Sequence, residues 1–220
     1  MSDRLDMTVT RTVHNALRRE LRHLAHAVAH HRPAARPDLR SAPGWHLFIT
    51  ALHVHQSAED DALWPPLRRA LAGRPLDLTR VEAIEAEHRA LSALVDSITE
   101  VRTDTEAGPG LLLDLTASLI TGLDGHLDHE ESAVLPLAQA LLTQDQWDDF
   151  ERAHAHRIGS AAPRLMPWLL HGLDDRTITA LLAQLFPRFT RHTYTHHWQP
   201  AFARLDLWGT RGEIPAALRT

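Results

Sequence analysis

Apolar residues along this chain recur three and four positions apart, the spacing that gathers side chains on one side of an α-helix. Between Met7 and His31, the residues His14, Leu17, Leu21, Leu24 and Val28 share one stripe, and His23, His26 and His30 fall on the opposite, solvated or tail-facing side. Pro33, Pro37 and Pro43 then interrupt the pattern as a loop. A second helix is predicted from Gly44 to about Ala72, with Phe48, Ala51, Leu52, His55, Glu59, Ala62 and Leu63 facing inward and Pro65 kinking or ending it. After the turn at Gly73-Arg74-Pro75, a third helix from about Leu78 to Arg102 turns Val81, Ile84, His88, Leu91, Val95 and Ile98 inward. The polar stretch Thr103 to Gly110 reads as a loop. The fourth helix, Leu111 to Leu142, turns in Leu112, Leu115, Leu119, Gly122, His126, Glu130, Ala133 and Leu137, with Pro136 as its break. From Thr143 on, helices are predicted over Gln144 to His156, Asp174 to Leu185 and Arg188 to Leu207, with Pro163 and Pro167 as punctuation. Four of the six tryptophans lie in this last part, so it must pack on something.

Histidines stand on apolar stripes where hydrophobes are expected. His126 and Glu130, in the run HLDHEESAVLPL, are four residues apart and so about 40° apart around a helix. Both side chains can reach one point, and imidazole with carboxylate suits iron or zinc. The same pattern occurs earlier, in HQSAEDDALWPPL, which sets His55, Glu59, Ala62 and Pro65 in register with His126, Glu130, Ala133 and Pro136. The repeat extends further back, because His14-Asn15-Ala16-Leu17 matches His88-Arg89-Ala90-Leu91. Two helical hairpins therefore each supply one histidine from the first helix and an HxxxE from the second. The expected fold is all-α: a four-helix bundle over residues 1–142 with the metal site on its inward stripes, and a helical extension over 143–220 packed on it.

Composition narrows the chemistry. A net charge of −5 in 220 residues, with no basic stripe, argues against a nucleic-acid partner. No apolar run is long enough to span a membrane and MSDRLDMTVTRT lacks a signal-peptide core, so a cytoplasmic location is expected. The chain has no cysteine, which removes disulfides, thiolate metal sites and cysteine nucleophiles. Four imidazoles and two carboxylates exceed what one tetrahedral zinc takes. They fit two metals if Glu59 and Glu130 both bridge, leaving open positions that suit non-haem iron and its binding of O₂, NO or peroxide. Zinc and manganese would also bind such a set. Glu20-x-x-His23, Glu85-x-x-His88 and Glu151-x-x-His154 carry the spacing of ferritin-like carboxylate sites, but that scheme leaves His14, His55 and His126 without a role on their stripes.

The order His, HxxxE, His, HxxxE, with E-D-x-x-L-W-P and E-E-x-x-x-L-P after the two HxxxE pairs, resembles the haemerythrin-like (HHE cation-binding) domain over about residues 10–142. The resemblance implies an up-and-down four-helix bundle holding two iron ions with a bridging oxo or hydroxo group, and His14, His55, Glu59, His88, His126 and Glu130 as the ligands. The oxygen carriers of that family have a second histidine on the third helix. Here Ile84 and Ser92 stand four residues either side of His88, which points away from reversible O₂ carriage and towards the bacterial relatives linked with peroxide, NO or iron sensing. Glu85 and His129 lie about 60° round their helices from His88 and His126 and are expected to hydrogen-bond near the ligands. His192 and His196, flanking Tyr194 and beside His197, form an HxxxH with no nearby carboxylate, better suited to a polar helix face than to a second metal. Two functions are expected from this pattern. One is a diiron protein reacting with a diatomic or peroxide ligand. The other is a metal-binding or iron-sensing module whose tail engages a partner.

Overall fold

A computed structural model describes residues 5–29, 42–103, 109–185 and 188–208. Among them the chain is all-helical, without a strand. The helices are α1 (Thr8–Ala29), α2 (Pro43–Ala58), α3 (Trp64–Ala70), α4 (Pro75–Thr103), α5 (Pro109–His129), α6 (Leu135–Leu141), α7 (Gln144–Ile158), α8 (Ala162–Leu169), α9 (Asp175–Leu185), α10 (Arg188–Thr193) and α11 (Gln199–Phe202). No described helix is long and apolar enough to cross a membrane. His30 and most of the two expected loops, around Pro33 and Pro37 and within Thr103–Gly110, lie outside the described residues.

The expected breaks at Pro65 and Pro136 take a particular form. Helix α2 passes into α3 through a π-helical turn at Glu59–Leu63, and α5 passes into α6 through another at Glu130–Val134. The Trp64 N–H reaches back five residues to the Glu59 carbonyl, and the Leu135 N–H does the same to Glu130. A proline in the first turn after each brings no N–H, so the regular ladder cannot run straight through, and the chain absorbs one extra residue instead. The extra residue rotates the downstream segment about the helix axis. Val134 becomes fully buried and Leu63 stays so as expected, whereas Ala62 and Ala133, placed on the inner face by straight-helix arithmetic, end half-buried. A third π-turn, Tyr194–Trp198, joins α10 to α11, again with its proline, Pro200, six residues after the first residue of the turn.

Packing divides the chain into two compact units. The first comprises Met1–Asp6 and His53–Arg157. Its core draws on the inner stripe of α4 (Val81, Ile84, Leu91, Ile98) and on Leu119, Leu123 and Leu127 of α5, with Trp64 and Leu67 from α3. Each such side chain contributes about 1.5–3 kcal/mol by leaving water. Gly122, expected in that stripe, is solvent-exposed, and a Cβ there would make ordinary contact with Leu91 at 3.5 Å and Leu94 at 3.9 Å.

The second unit comprises Met7–Leu52 and Ile158–Thr220. In it α1 buries Val13, Leu17, Leu21 and Leu24, and α2 contributes Trp45 stacked on Phe48, with ring centroids 5.8 Å apart. Helix α8 departs from the expectation, because Pro163 and Pro167 read as breaks. Pro163 in fact sits in its first turn, where the missing N–H costs nothing. The polar side of α1 is turned to these C-terminal helices. Arg19 donates to the carbonyls of Trp168 at 2.6 Å and His171 at 2.8 Å, capping the C-terminal end of α8, and to Glu20 at 3.0 Å. Glu20 is fully buried and also accepts from the Trp208 indole at 2.9 Å. Trp208 itself lies against Gly44, where a Cβ would stand 2.5 Å from the indole, so only glycine fits.

Candidate metal centre

Glu59 and Glu130 each open a π-turn, and both are completely buried. The extra residue in the turn falls just beyond the carboxylate, so the HxxxE upstream keeps α-helical spacing while the chain downstream is free to follow the core. His55 Nε2 lies 3.2 Å from one Glu59 oxygen, and His88 Nε2 lies 3.4 Å from the other. His126 Nε2 lies 4.0 Å from Glu130. One ligand atom from each of His55, Glu59 and Glu130 sits within 4.8 Å of the other two. The rings of His88 and His126 meet edge-on, with centroids 4.9 Å apart, and Trp64 is tilted over His88 at 6.3 Å. Thus α2, α4 and α5 bring five of the six expected ligands together within the first unit. The sixth, His14, is on α1 in the second unit and is fully buried.

The outer nitrogens of two rings are held by carboxylates. His88 Nδ1 is 2.9 Å from Asp60, and His126 Nδ1 is 2.9 Å from Glu87, whose second oxygen takes His129 Nδ1 at 2.8 Å. This fixes each ring and leaves Nε2 pointing inward. Among the described residues, neither His88 Nε2 nor His126 Nε2 has a hydrogen-bond partner. A buried ring nitrogen without a partner costs free energy, and so does a pair of buried carboxylates. Burial first, and then the charge of Glu130 beside it, raises the Glu59 carboxyl well above the usual carboxylate range. Burial also lowers His126, favouring the neutral imidazole that binds metals. Inward imidazole nitrogens facing paired carboxylates in an apolar interior fit a cation: it would answer both costs at once.

The sequence assigned supporting roles to Glu85 and His129. Glu85 is instead paired with Arg68, and the carboxylate that serves His88 is Asp60. His129 meets His126 only through their shared partner Glu87, a residue that periodicity did not single out. Its signal was faint: Glu87 and Asp60 each stand next to a ligand in sequence, yet each serves a ligand on the neighbouring helix. A polar cleft of about 500 Å³ opens on one side of the site, lined by His53, Gln56, Asp60, His88, Arg89 and Asp96 among others. The rings of His192 and His196 lie 4.3 Å apart between centroids, tilted by 48°, and both residues are exposed.

The family model described as the Hemerythrin HHE cation binding domain matches residues 7–138, more than half of the chain. The chain belongs to the haemerythrin family. No curated protein and no solved structure gives a match. In this haemerythrin-family chain a buried His/Glu cluster could hold metal, and its supports lie within the matched segment. Glu87→Ala would release His126 and His129 together. Metal affinity is expected to fall about 10–100-fold, the usual effect of losing the group that orients a ligating histidine. Titration of the purified variant with ferrous iron under argon checks this.

Proposed function

We propose that the protein is a non-haem diiron protein that reacts with peroxide, NO or O₂, with its helices α1, α2, α4 and α5 acting as the four-helix up-and-down bundle of its family. The observation that carries this reading is the pair Glu59 and Glu130, fully buried and faced by imidazole Nε2 atoms at 3.2–4.0 Å. Glu59 and Glu130 would bridge two metal ions. His55, His88 and His126 would be terminal ligands, and His14 the fourth, supported by its H-x-A-L match to His88 and its complete burial on the apolar stripe of α1. Iron bound there supplies one-electron chemistry towards O₂, NO and peroxide. The chain's own residues do the rest. Asp60 and Glu87 hold the rings in the ligating tautomer, Trp64 shields His88 from one side, and the polar cleft beside His88 offers a route for a small ligand.

Ile84 and Ser92, four residues either side of His88, supply no further histidine of the kind the oxygen carriers have, so both metals would keep positions open to exchange. That favours turnover or sensing over reversible O₂ carriage. Metal analysis and an optical spectrum after anaerobic loading with ferrous iron and exposure to air test the reading. Two irons per chain, near-ultraviolet ferric charge-transfer absorption and a spectral response to hydrogen peroxide or NO are expected. Iron that binds but responds to none of these would overturn the redox role, and a preference for zinc over iron would favour a structural or sensing site.

A further inference from the structure

The polar cleft beside His88 is lined by two helical segments of the first unit. Helix α2 and the π-turn after it present His53, Gln56 and Asp60, and α4 presents Glu85, Arg89 and Asp96. Nearly every polar group there is answered. Asp60 takes His88 Nδ1 at 2.9 Å, Glu85 is paired with Arg68, and the Ser57 hydroxyl donates to the His53 carbonyl of its own helix at 2.6 Å. His53, Arg89 and Asp96 are exposed to water.

Gln56 is the exception. It lines the cleft and yet is only 6% exposed, and among the described residues its amide nitrogen is buried without a hydrogen-bond partner. A buried N–H with no acceptor costs free energy that an apolar side chain of the same length would not. The place of Gln56 on α2 gives that cost a purpose. It follows His55 directly and stands about 60° round the helix from Glu59, so it borders the buried carboxylates on one side and the cleft on the other. Asp60 follows one turn later on the cleft wall, its carboxylate half-exposed. An amide N–H donor and a carboxylate acceptor thus stand one turn apart beside the metal cluster.

Such a pair complements a molecule that accepts a hydrogen bond at one atom and donates one at the next. O₂ and NO have no proton to donate and accept only weakly, so a polar wall offers them little. Hydrogen peroxide has both functions. We propose that Gln56 recognises hydrogen peroxide on its approach to the metal centre, its amide donating to one peroxide oxygen while the peroxide O–H is donated to the Asp60 carboxylate. The inference rests on the diiron reading and deepens it, because it makes the cleft selective for peroxide over the diatomic gases.

The test replaces the amide with a thioether of the same length, Gln56→Met. Wild type and variant are loaded with ferrous iron under argon. The rate constant of the spectral change on mixing with hydrogen peroxide and the affinity for NO are measured, together with the melting temperature of the metal-free proteins. The variant is expected to react with peroxide about tenfold more slowly, the worth of one hydrogen bond, and to keep its affinity for NO within about twofold. Its metal-free melting temperature should equal or exceed that of the wild type, since the unanswered N–H is gone. Should the thioether disturb the fold, Gln56→Leu takes its place with the same expectation. An unchanged peroxide rate would overturn the proposal, and so would equal losses towards peroxide and NO, the mark of a residue that only shapes the site. Wild type that answers NO but not peroxide would overturn this proposal alone. Iron-loaded wild type that answers neither would bring down the diiron reading and this inference with it.

Discussion

Glu59→Gln is expected to weaken metal binding severely and yet to leave a metal-free chain more stable than metal-free wild type. The amide keeps the shape of the carboxylate but cannot bridge, so the loss of affinity should exceed the roughly 10–100-fold that a lost supporting group costs. The stability gain has a separate cause. Glu59 is fully buried beside Glu130, so the metal-free wild type must either protonate it or bury its charge, a cost that an amide of similar volume does not carry. The raised carboxyl sets the sign with pH. In metal-free wild type, Glu59 holds its proton in the fold at pH values where the unfolded chain has released it, so its contribution is fully present below the ordinary carboxylate range and is lost as pH rises towards the folded value. The gap between variant and wild type should thus be small near pH 4 and widen as the pH increases. Urea denaturation of both metal-free proteins across that range measures it. A variant less stable than wild type at neutral pH would mean that Glu59 is stabilised by something other than a cation.

Glu20→Ala should be the most damaging single change outside the metal centre. Burial alone would raise the Glu20 carboxyl, but the hydrogen bond to His23, the neighbouring Arg19 charge and the Trp208 indole outweigh it and hold it below its ordinary value. Removing the carboxylate leaves the buried Arg19 guanidinium and the Trp208 N–H without that partner, and breaking a buried pair in this way costs about 3–5 kcal/mol. Arg19 retains its two carbonyl acceptors, so the lower end, about 3 kcal/mol, is expected. A lowered carboxyl contributes stability that is present above the unfolded value, about 4.3, and lost as pH falls through the folded one. Wild type should therefore converge on the variant in acid, the reverse of the Glu59 case. Equal stability of the two proteins at neutral pH would show that the Arg19–Glu20–Trp208 network does not anchor the C-terminal helices on α1.

Helical periodicity located four histidines where only hydrophobes were expected, and all four, His14, His55, His88 and His126, are buried. The duplicated HxxxE marked the two glutamates that open the π-turns, because ligand spacing and proline position both survive in a single line of residues. What resisted reading was any relation that joins different helices. Glu85 seemed the natural acceptor for His88 because the two share a helix, but Arg68 claims it and Asp60 reaches His88 from the preceding turn. Glu87 drew no notice along its own helix, and only the packing of α5 sets His126 and His129 beside it. Helix α8 was hidden behind its prolines.

The sequence by itself determined that the chain is helical, which histidines and glutamates lie on apolar stripes, and that they come as a repeat, since these depend only on periods of three to four residues. The tertiary structure alone decided that each proline break becomes a π-turn, that Asp60 meets His88 and Glu87 meets His126, that α1 turns its polar side to the C-terminal helices, and that α7 lays an aromatic row against His55. The reason is physical. Periodicity states which face of a helix seeks burial, whereas the partner met on that face depends on the rotation and height of another helix, and one inserted residue shifts both.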